Sequence, residues 1–289
     1  MAPNINAERK KQQQMQPSTN NESNRDDRLQ HIARLQHIAA LLLEHRAGKV
    51  DWGEISHLEG RECSKGIANT FLICCLLDWQ QDADVAFEKG ENLVKQLGKE
   101  SGDPDAEKVW ATISSFSKDE WDSKYEYYGK PHRFRKGYTR LWDIASDICA
   151  RYEGDARNIW LRRAPFDALV HLWALGAGDQ ISRMIVGALR DCGQLKGDSG
   201  DVKADRHLRR VLGRAVSGEE ISGADATKVI QLTRKLNADP WELDLPLWNV
   251  GKSYCRPTNP KCPRCYLRPH CAYDYLRHGG AGVNDSPIT

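Results

Sequence analysis

The sequence predicts an all-α protein. Apolar residues recur at helical spacing along most of the chain, and Leu29, Ile32, Leu35, Ile38, Ala39, Leu42 and Leu43 form the first such stripe. No segment alternates convincingly with the period of two that a half-buried strand shows. The 289 residues suffice for one large or two modest domains, and 40% apolar with 28% charged residues is an ordinary globular balance. No apolar run reaches the length of a membrane span, and no signal-peptide core is present. The expected setting is cytoplasmic and reducing, with no membrane.

Taken in order, residues 1–27 are rich in Gln, Asn and Ser and read as a disordered tail. A helix is predicted from 28 to 46, with Gly48 just past its end. The repeated Leu-Gln-His-Ile-Ala at 29–33 and 35–39 is too short to be a structural repeat. A strongly apolar helix spans 67–77, a further helix 83–97, and a Gly/Asp/Pro break follows at 102–104. Short helices are expected at 105–114 and 117–124, then a basic, aromatic loop at 129–137 that leads into a helix at 138–152. Pro165 starts a helix to 174; the turn Leu175-Gly176-Ala177-Gly178 separates it from a helix at 179–192. A Gly-rich polar insert covers 193–201, and Asp205 heads a helix with Leu208, Val211, Leu212 and Val216 on one face. Helices at 225–236 and 240–254 complete the set, and 279–289 is a C-terminal tail.

Near the end stands Cys255-Arg-Pro-Thr-Asn-Pro-Lys-Cys262-Pro-Arg-Cys265-Tyr-Leu-Arg-Pro-His-Cys271, four cysteines separated by gaps of six, two and five. No hydrophobic run in it is long enough for a helix or strand, so little holds it folded except what its sulfurs bind. Two disulfides would need an oxidising compartment, of which there is no sign. A zinc ribbon usually offers two Cys-x-x-Cys knuckles, and there is one here. Four thiolates on a compact loop also suit a 4Fe–4S cubane. Spacing alone leaves zinc and iron–sulfur side by side. The other cysteines, Cys63, Cys74, Cys75, Cys149 and Cys192, are scattered; Cys74 and Cys75 lie in an apolar run and read as small core residues.

Net charge is close to even, 42 Lys and Arg against 40 Asp and Glu, so its distribution says more than its sum. Lys252, Arg256, Lys261, Arg264, Arg268 and Arg277 face Asp274 alone across 250–278, and Lys203, Arg206, Arg209, Arg210 and Arg214 face Asp205 across 203–214. Local basic patches on a near-neutral protein suit a phosphate-binding face, although either alone is also what a solvated helix face looks like.

Leu247-Trp248-Asn249-Val250-Gly251-Lys252-Ser253-Tyr254-Cys255, continued by the same three gaps, resembles the cluster loop of the endonuclease III family of helix-hairpin-helix DNA glycosylases. The gap pattern is specific to that family. The resemblance spans about residues 28–278 and implies two helical domains flanking a DNA groove. One is a six-helix domain at 52–204 with the hairpin; the other is a cluster domain made of 28–51 and 205–278. It also implies a 4Fe–4S cluster on Cys255, Cys262, Cys265 and Cys271. Leu172-Trp173-Ala174-Leu175-Gly176-Ala177-Gly178 resembles the hairpin, whose amides at Gly176, Ala177 and Gly178 would face a phosphate. Leu175 stands where the family usually has Pro. Gln180 stands where bifunctional members carry a catalytic Lys. Ala204-Asp205-Arg206-His207 matches the family's essential Asp with a His two residues on. Gln80 or Gln81 matches the glutamine that fills the space of a flipped base, while Asp78-Trp79 departs from the family's small residues; Trp79 is either a stacking wall or a core aromatic.

The function this implies is a monofunctional glycosylase acting as a monomer on duplex DNA that carries a damaged or modified base. Asp205 would stabilise the sugar cation, Gln180 would form no Schiff base, and Arg256, Lys261 and Arg264 would touch phosphates. The alternative is a catalytically inactive iron–sulfur DNA-binding protein of the same fold. A lyase using Lys203 would need a residue outside the family position. Adenine-specific relatives carry a further C-terminal domain, whereas this sequence ends eighteen residues after Cys271, so adenine specificity is not expected.

Overall fold

Helix α2, Lys65–Leu77, is apolar on every side, and such a helix is stable only inside a core. Phe71 to Leu77 are all buried in it. In the computed structural model of the protein, residues 19–278 are described except 47, 49, 59, 198 and 199, with side chains from residue 32 onward. Residues 1–18 and 279–289 lie outside the described residues. No strand occurs among the described residues, and the chain is all-α. Among the described residues no helix is long and apolar enough to cross a membrane.

Around α2 pack α3, Ala83–Ser101; α4, Val109–Ser115; α6, Arg135–Tyr152; and α8, Asp179–Asp191. The short α5, Lys118–Ser123, lies on α6, and α7, Pro165–Ala174, packs on α8. Asn69 is fully buried and ties three segments together. Its Oδ1 accepts from the Trp110 indole at 2.9 Å and from the Ala156 amide at 3.0 Å, and its Nδ2 donates to the Ala106 carbonyl at 3.1 Å. A buried amide that satisfies both of its ends adds specificity without an unpaired polar atom. Trp121 and Tyr138 stack at 4.4 Å and exchange hydrogen bonds with each other's backbone, which fastens α5 to α6. Cys74 and Cys75 are buried in this core.

A second hydrophobic cluster holds Ile38, Leu42, Val202, Ala204, Leu208, Val211, Leu212, Val229, Leu243, Leu247 and Val250. It is built from α1, Thr19–Glu44; α9, Arg206–Ser217; α10, Ala226–Leu236; and α11, Asp244–Ser253. The short α12, Ala272–His278, which sequence periodicity does not announce, packs on α9. Helix α1 starts at Thr19 rather than at residue 28, so part of the stretch read as a disordered tail is helical. Of its predicted stripe, Leu35, Ile38, Ala39 and Leu42 are buried, while Ile32 and Leu43 are exposed. The burial follows one narrow face, because α1 covers the second cluster from one side only.

Trp241 crosses between the two clusters. It follows α10 in the chain but is buried in the first core, and its indole donates to Asp191 Oδ2 at 3.0 Å. Gly187 on α8 makes room for it: a Cβ there would lie 2.3 Å from the indole ring. Gly187→Ala should therefore overpack this junction and lower stability by about 1–3 kcal/mol. The check is the midpoint of urea unfolding at unchanged slope; an unmoved midpoint would mean that ring and helix are not in this contact.

Candidate active site and cysteine loop

Asp205 is half-buried at the N-cap of α9. Its Oδ1 accepts from the amides of His207 at 2.7 Å and Leu208 at 3.0 Å, which satisfies two of the helix's orphan donors. Both cap bonds fall on Oδ1, so the second oxygen is not committed to capping. Helix capping and a chemical role are thus compatible in one carboxylate. The ring of His207 sits behind it, 3.1 Å from Arg210 Nη2, and burial lowers its pKa.

The hairpin turn approaches the same segment. Gly176 has φ +79° and Gly178 φ +83°, left-handed values that an L side chain rarely adopts, and open space surrounds both. Backbone geometry rather than crowding therefore requires glycine here, while Ala177 between them is buried. The turn launches α8, and the exposed Gln180 in its first turn donates Nε2 to the Ala204 carbonyl at 3.1 Å. The tertiary structure brings Gln180 to the residue before Asp205.

At the far side, the C-terminal end of α2 separates two neighbouring glutamines. Gln81 is engaged: Nε2 donates to Leu77 O at 2.6 Å and Oε1 accepts from the Arg133 amide at 3.2 Å. Gln80 is exposed and has φ +57°, and its backbone carbonyl accepts from Arg133 Nη1 at 3.2 Å. Trp79 is half-buried, stacked on His132 at 5.7 Å and tilted against Phe134 at 6.2 Å. His132 Nε2 bonds the Trp79 carbonyl at 2.7 Å and Nδ1 bonds Phe134, so the loop at 129–137 is fastened to the end of α2 by this imidazole. Arg140 on α6 lies 5.8 Å from the Trp79 ring. Burial lowers its pKa, and its Nε and Nη2 are buried without a hydrogen-bond partner.

Two carboxylates to which the sequence gives no role complete the site. Asp78, the C-cap of α2, is buried and pairs with Lys203 Nζ at 2.5 Å. Asp244, the first residue of α11, accepts the Lys203 backbone amide on Oδ1 at 2.6 Å. Burial, then the nearby charge of Asp205, pushes Asp244 up to about 7. No periodicity or motif marks either residue; only the packing of α2 and α11 around residue 203 does.

Of the five cations in the basic stretch at 203–214, Lys203, Arg210 and Arg214 turn inward, while Arg206 is exposed. Lys203 is paired, and Arg210 is buried, donating Nε to Cys255 O and Nη2 to Gly251 O at 3.1 Å. Arg214 donates to the carbonyls of Arg256 at 2.7 Å and Pro257 at 3.0 Å. These guanidiniums turn inward because the start of the cysteine loop is irregular backbone whose carbonyls need donors. By contrast Arg256 and Arg264 are exposed, Lys261 is half-buried, and none of the three is in an ion pair among the described residues. Helix α1 closes over the loop through stacked rings, His37 on His270 at 4.7 Å and His45 on Tyr266 at 4.1 Å.

Cys255, Cys262, Cys265 and Cys271 are all part-buried and free of disulfides. Burial raises the thiol of Cys262, followed by the charge of Asp274 and then the other cysteines; burial, then the other cysteines, raise that of Cys265 to about 12; burial chiefly raises that of Cys271. Ionised together, such thiols would repel one another, and a positive centre would stabilise them. Among the described residues, no group of three or more His, Cys, Asp or Glu side chains is arranged to hold a metal ion.

No protein-family model matches the sequence, and no curated protein does. Solved structures do. A thermostable thymine-DNA glycosylase aligns with a TM-score of 0.52 at 15% identity, over 84% of this chain and 98% of its own. A trapped endonuclease III–DNA covalent intermediate aligns with a TM-score of 0.51 at 15% identity, over 78% and 95% of the two chains. A non-covalent endonuclease III–DNA complex gives 0.51 at 16%, over 79% and 95%. The chain has the fold of the endonuclease III-like DNA glycosylases.

Proposed function

We propose that the protein is a DNA N-glycosylase that turns a damaged or modified base out of duplex DNA and hydrolyses its N-glycosidic bond without a Schiff-base step. The observation that carries this reading is the meeting of Asp205 with the hairpin through the Gln180–Ala204 hydrogen bond. Cleaving the bond builds positive charge on the sugar. A fixed carboxylate with one oxygen outside the helix cap offsets that charge and can orient water. Gln180 has no amine to form an imine, and Lys203 is held as an ammonium by Asp78. In this reading the amides of Gly176, Ala177 and Gly178, together with Arg256, Lys261 and Arg264, hold phosphates. Arg140, a part-buried cation whose Nε and Nη2 have no hydrogen-bond partner among the described residues, joins them. Gln80 is the side chain that fills the vacated stack, while Gln81 serves its own helix end. Trp79, packed on His132, forms a fixed wall. That two of the similar structures are DNA complexes supports the DNA partner.

We further infer that Cys255, Cys262, Cys265 and Cys271 hold a 4Fe–4S cluster. The four part-buried thiols fit it because a cubane takes one thiolate at each of four separate corners, and Leu267 is the loop's one buried large apolar side chain. When bound, the cluster supplies a cross-link that replaces the missing core; Arg210 and Arg214 hold the loop's first carbonyls to α9. A DNA-binding protein of this fold without catalysis is the second reading, favoured by Gln180 in place of a nucleophile.

Asp205→Asn keeps the cap and removes the full charge. It should slow base release at least roughly 100-fold, the scale of losing one preorganised electrostatic group, with DNA binding retained. Screening duplex oligonucleotides with damaged and modified bases provides the substrate; full activity of the variant would remove Asp205 from the mechanism. The parent should leave an intact abasic site, and borohydride should trap no protein–DNA adduct.

Anaerobically purified protein should contain about four irons per chain, and iron and zinc analysis measures this. Stoichiometric zinc would overturn the cluster assignment.

Lys261→Ala and Arg264→Ala should weaken binding equally on all DNA sequences and reduce the salt slope by roughly one per lost phosphate contact. A changed sequence preference at constant slope would contradict the phosphate role.

A further inference from the structure

We propose that Lys203 is a positioning residue for Asp205: its ammonium pairs with Asp78 while its backbone N–H is held by Asp244, so that it fixes the Lys203–Asp205 segment and offsets the negative charge gathered there. Its effect on base release rests on the glycosylase reading; its place in the charge cluster does not.

Three elements converge on this lysine. Asp78 Oδ2 at the end of α2 lies 2.5 Å from Nζ, and Met184 Sδ on α8 lies 3.2 Å from it. Asp244 Oδ1 at the start of α11 takes its backbone N–H at 2.6 Å. The Lys203 carbonyl in turn accepts from the Asp205 amide at 2.6 Å. Side-chain exposure is 19% for Lys203 and 3% for Asp78, so this is a buried pair that spans the two cores, not a surface contact. Removing one partner of such a pair leaves an uncompensated charge.

The charges around it explain why a cation is needed. Asp78, Asp205 and Asp244 all act on the ammonium. Cys75, Asp82 and Asp205 lie around Asp78. Asp191 and Asp205 act on Asp244, and His207, with Arg206 and Arg210 near it, faces Asp205. Burial raises the pKa of Asp78 against the pull of Lys203. For Lys203 burial works against the charge, but the carboxylates outweigh it and raise its pKa. It therefore stays an ammonium, without the lone pair a nucleophile requires. Three carboxylates lie around this cation, which offsets part of the negative charge they gather.

The test is carbon-detected NMR titration of the aspartate carboxyls in the full chain, comparing the parent with Lys203→Met, Lys203→Arg and Asp78→Asn. In Lys203→Met the carboxyls of the cluster should titrate roughly one unit or more higher, as expected for losing an opposite charge at contact distance. Lys203→Arg should restore them. Asp78→Asn should move the remaining carboxyls the other way, since fewer of them then share the ammonium. Unmoved titrations in a folded Lys203→Met protein would overturn the proposal. So would shifts of the same sign in Lys203→Met and Asp78→Asn, which is what loosened packing alone produces. If Lys203→Met does not fold, Asp78→Asn decides: downward shifts of the remaining carboxyls beside parent-like values in Lys203→Arg support the proposal, and unmoved or upward shifts overturn it. On a substrate the parent cleaves, Lys203→Met should move the acid limb of the base-release profile to higher pH at unchanged DNA affinity. A parent that releases no base from any duplex tested would remove the glycosylase reading, while the titration still decides the role of Lys203.

Discussion

Between the first core and the helix headed by Asp205, residues 201–205 are pinned from several directions at once. Asp201 pairs with Arg183 of α8 at 2.6 Å and with Arg234 of α10 at 2.7 Å. Lys203 is clamped by Asp78 and Asp244, Gln180 holds the Ala204 carbonyl, and Asp205 closes α9. Val202 and Ala204 point into the second hydrophobic cluster. Together these hydrogen bonds and ion pairs tie α2, α8, α9, α10 and α11 to the same short segment, so the position of the Asp205 carboxylate is fixed by the whole fold rather than by α9 alone. Preorganisation of this kind lets a charged group act without reorganising at the moment of reaction.

Cation placement follows a second logic. Where backbone is irregular and partly buried, arginine reaches in to supply donors: Arg210 and Arg214 serve the beginning of the cysteine loop, and Arg133 serves Gln80 at the end of α2. Where cations have no such duty, as at Arg256 and Arg264, they remain in solvent and unpaired among the described residues. The planar guanidinium, with its several fixed donors, suits the first task better than a lysine ammonium would. The cysteine loop itself has hardly any apolar residue to bury, so these arginines and the ring stacks from the α1 side hold it against the second cluster.

The C-terminal end of α2 shows how one helix end divides its labour. Asp78 turns inward to the ammonium, Trp79 packs sideways on His132, Gln81 turns back to its own helix, and Gln80 alone stays outward. Four consecutive residues serve four directions because the helix stops there and the left-handed φ of Gln80 redirects the chain.

The sequence by itself determined the all-α class, most of the helices, the hairpin glycines, the cysteine loop and Asp205. Local physics writes these directly: helical periodicity, caps and breakers act within a few residues, and ligand spacing lies within one short segment. The helix bounds at 165–174 and the N-cap at Asp205 were legible for that reason. Only the tertiary structure decided the rest. It separated Gln80 from Gln81, turned Arg210 and Arg214 inward from what reads as a basic face, carried Trp241 across into the first core, and brought Asp78 and Asp244 to Lys203. Asp78 and Lys203 are separated by 125 positions in the chain, and no one-dimensional pattern relates them. Their partnership exists because α2, α8 and α11 bury their apolar faces in an arrangement that leaves room between them for a single ammonium.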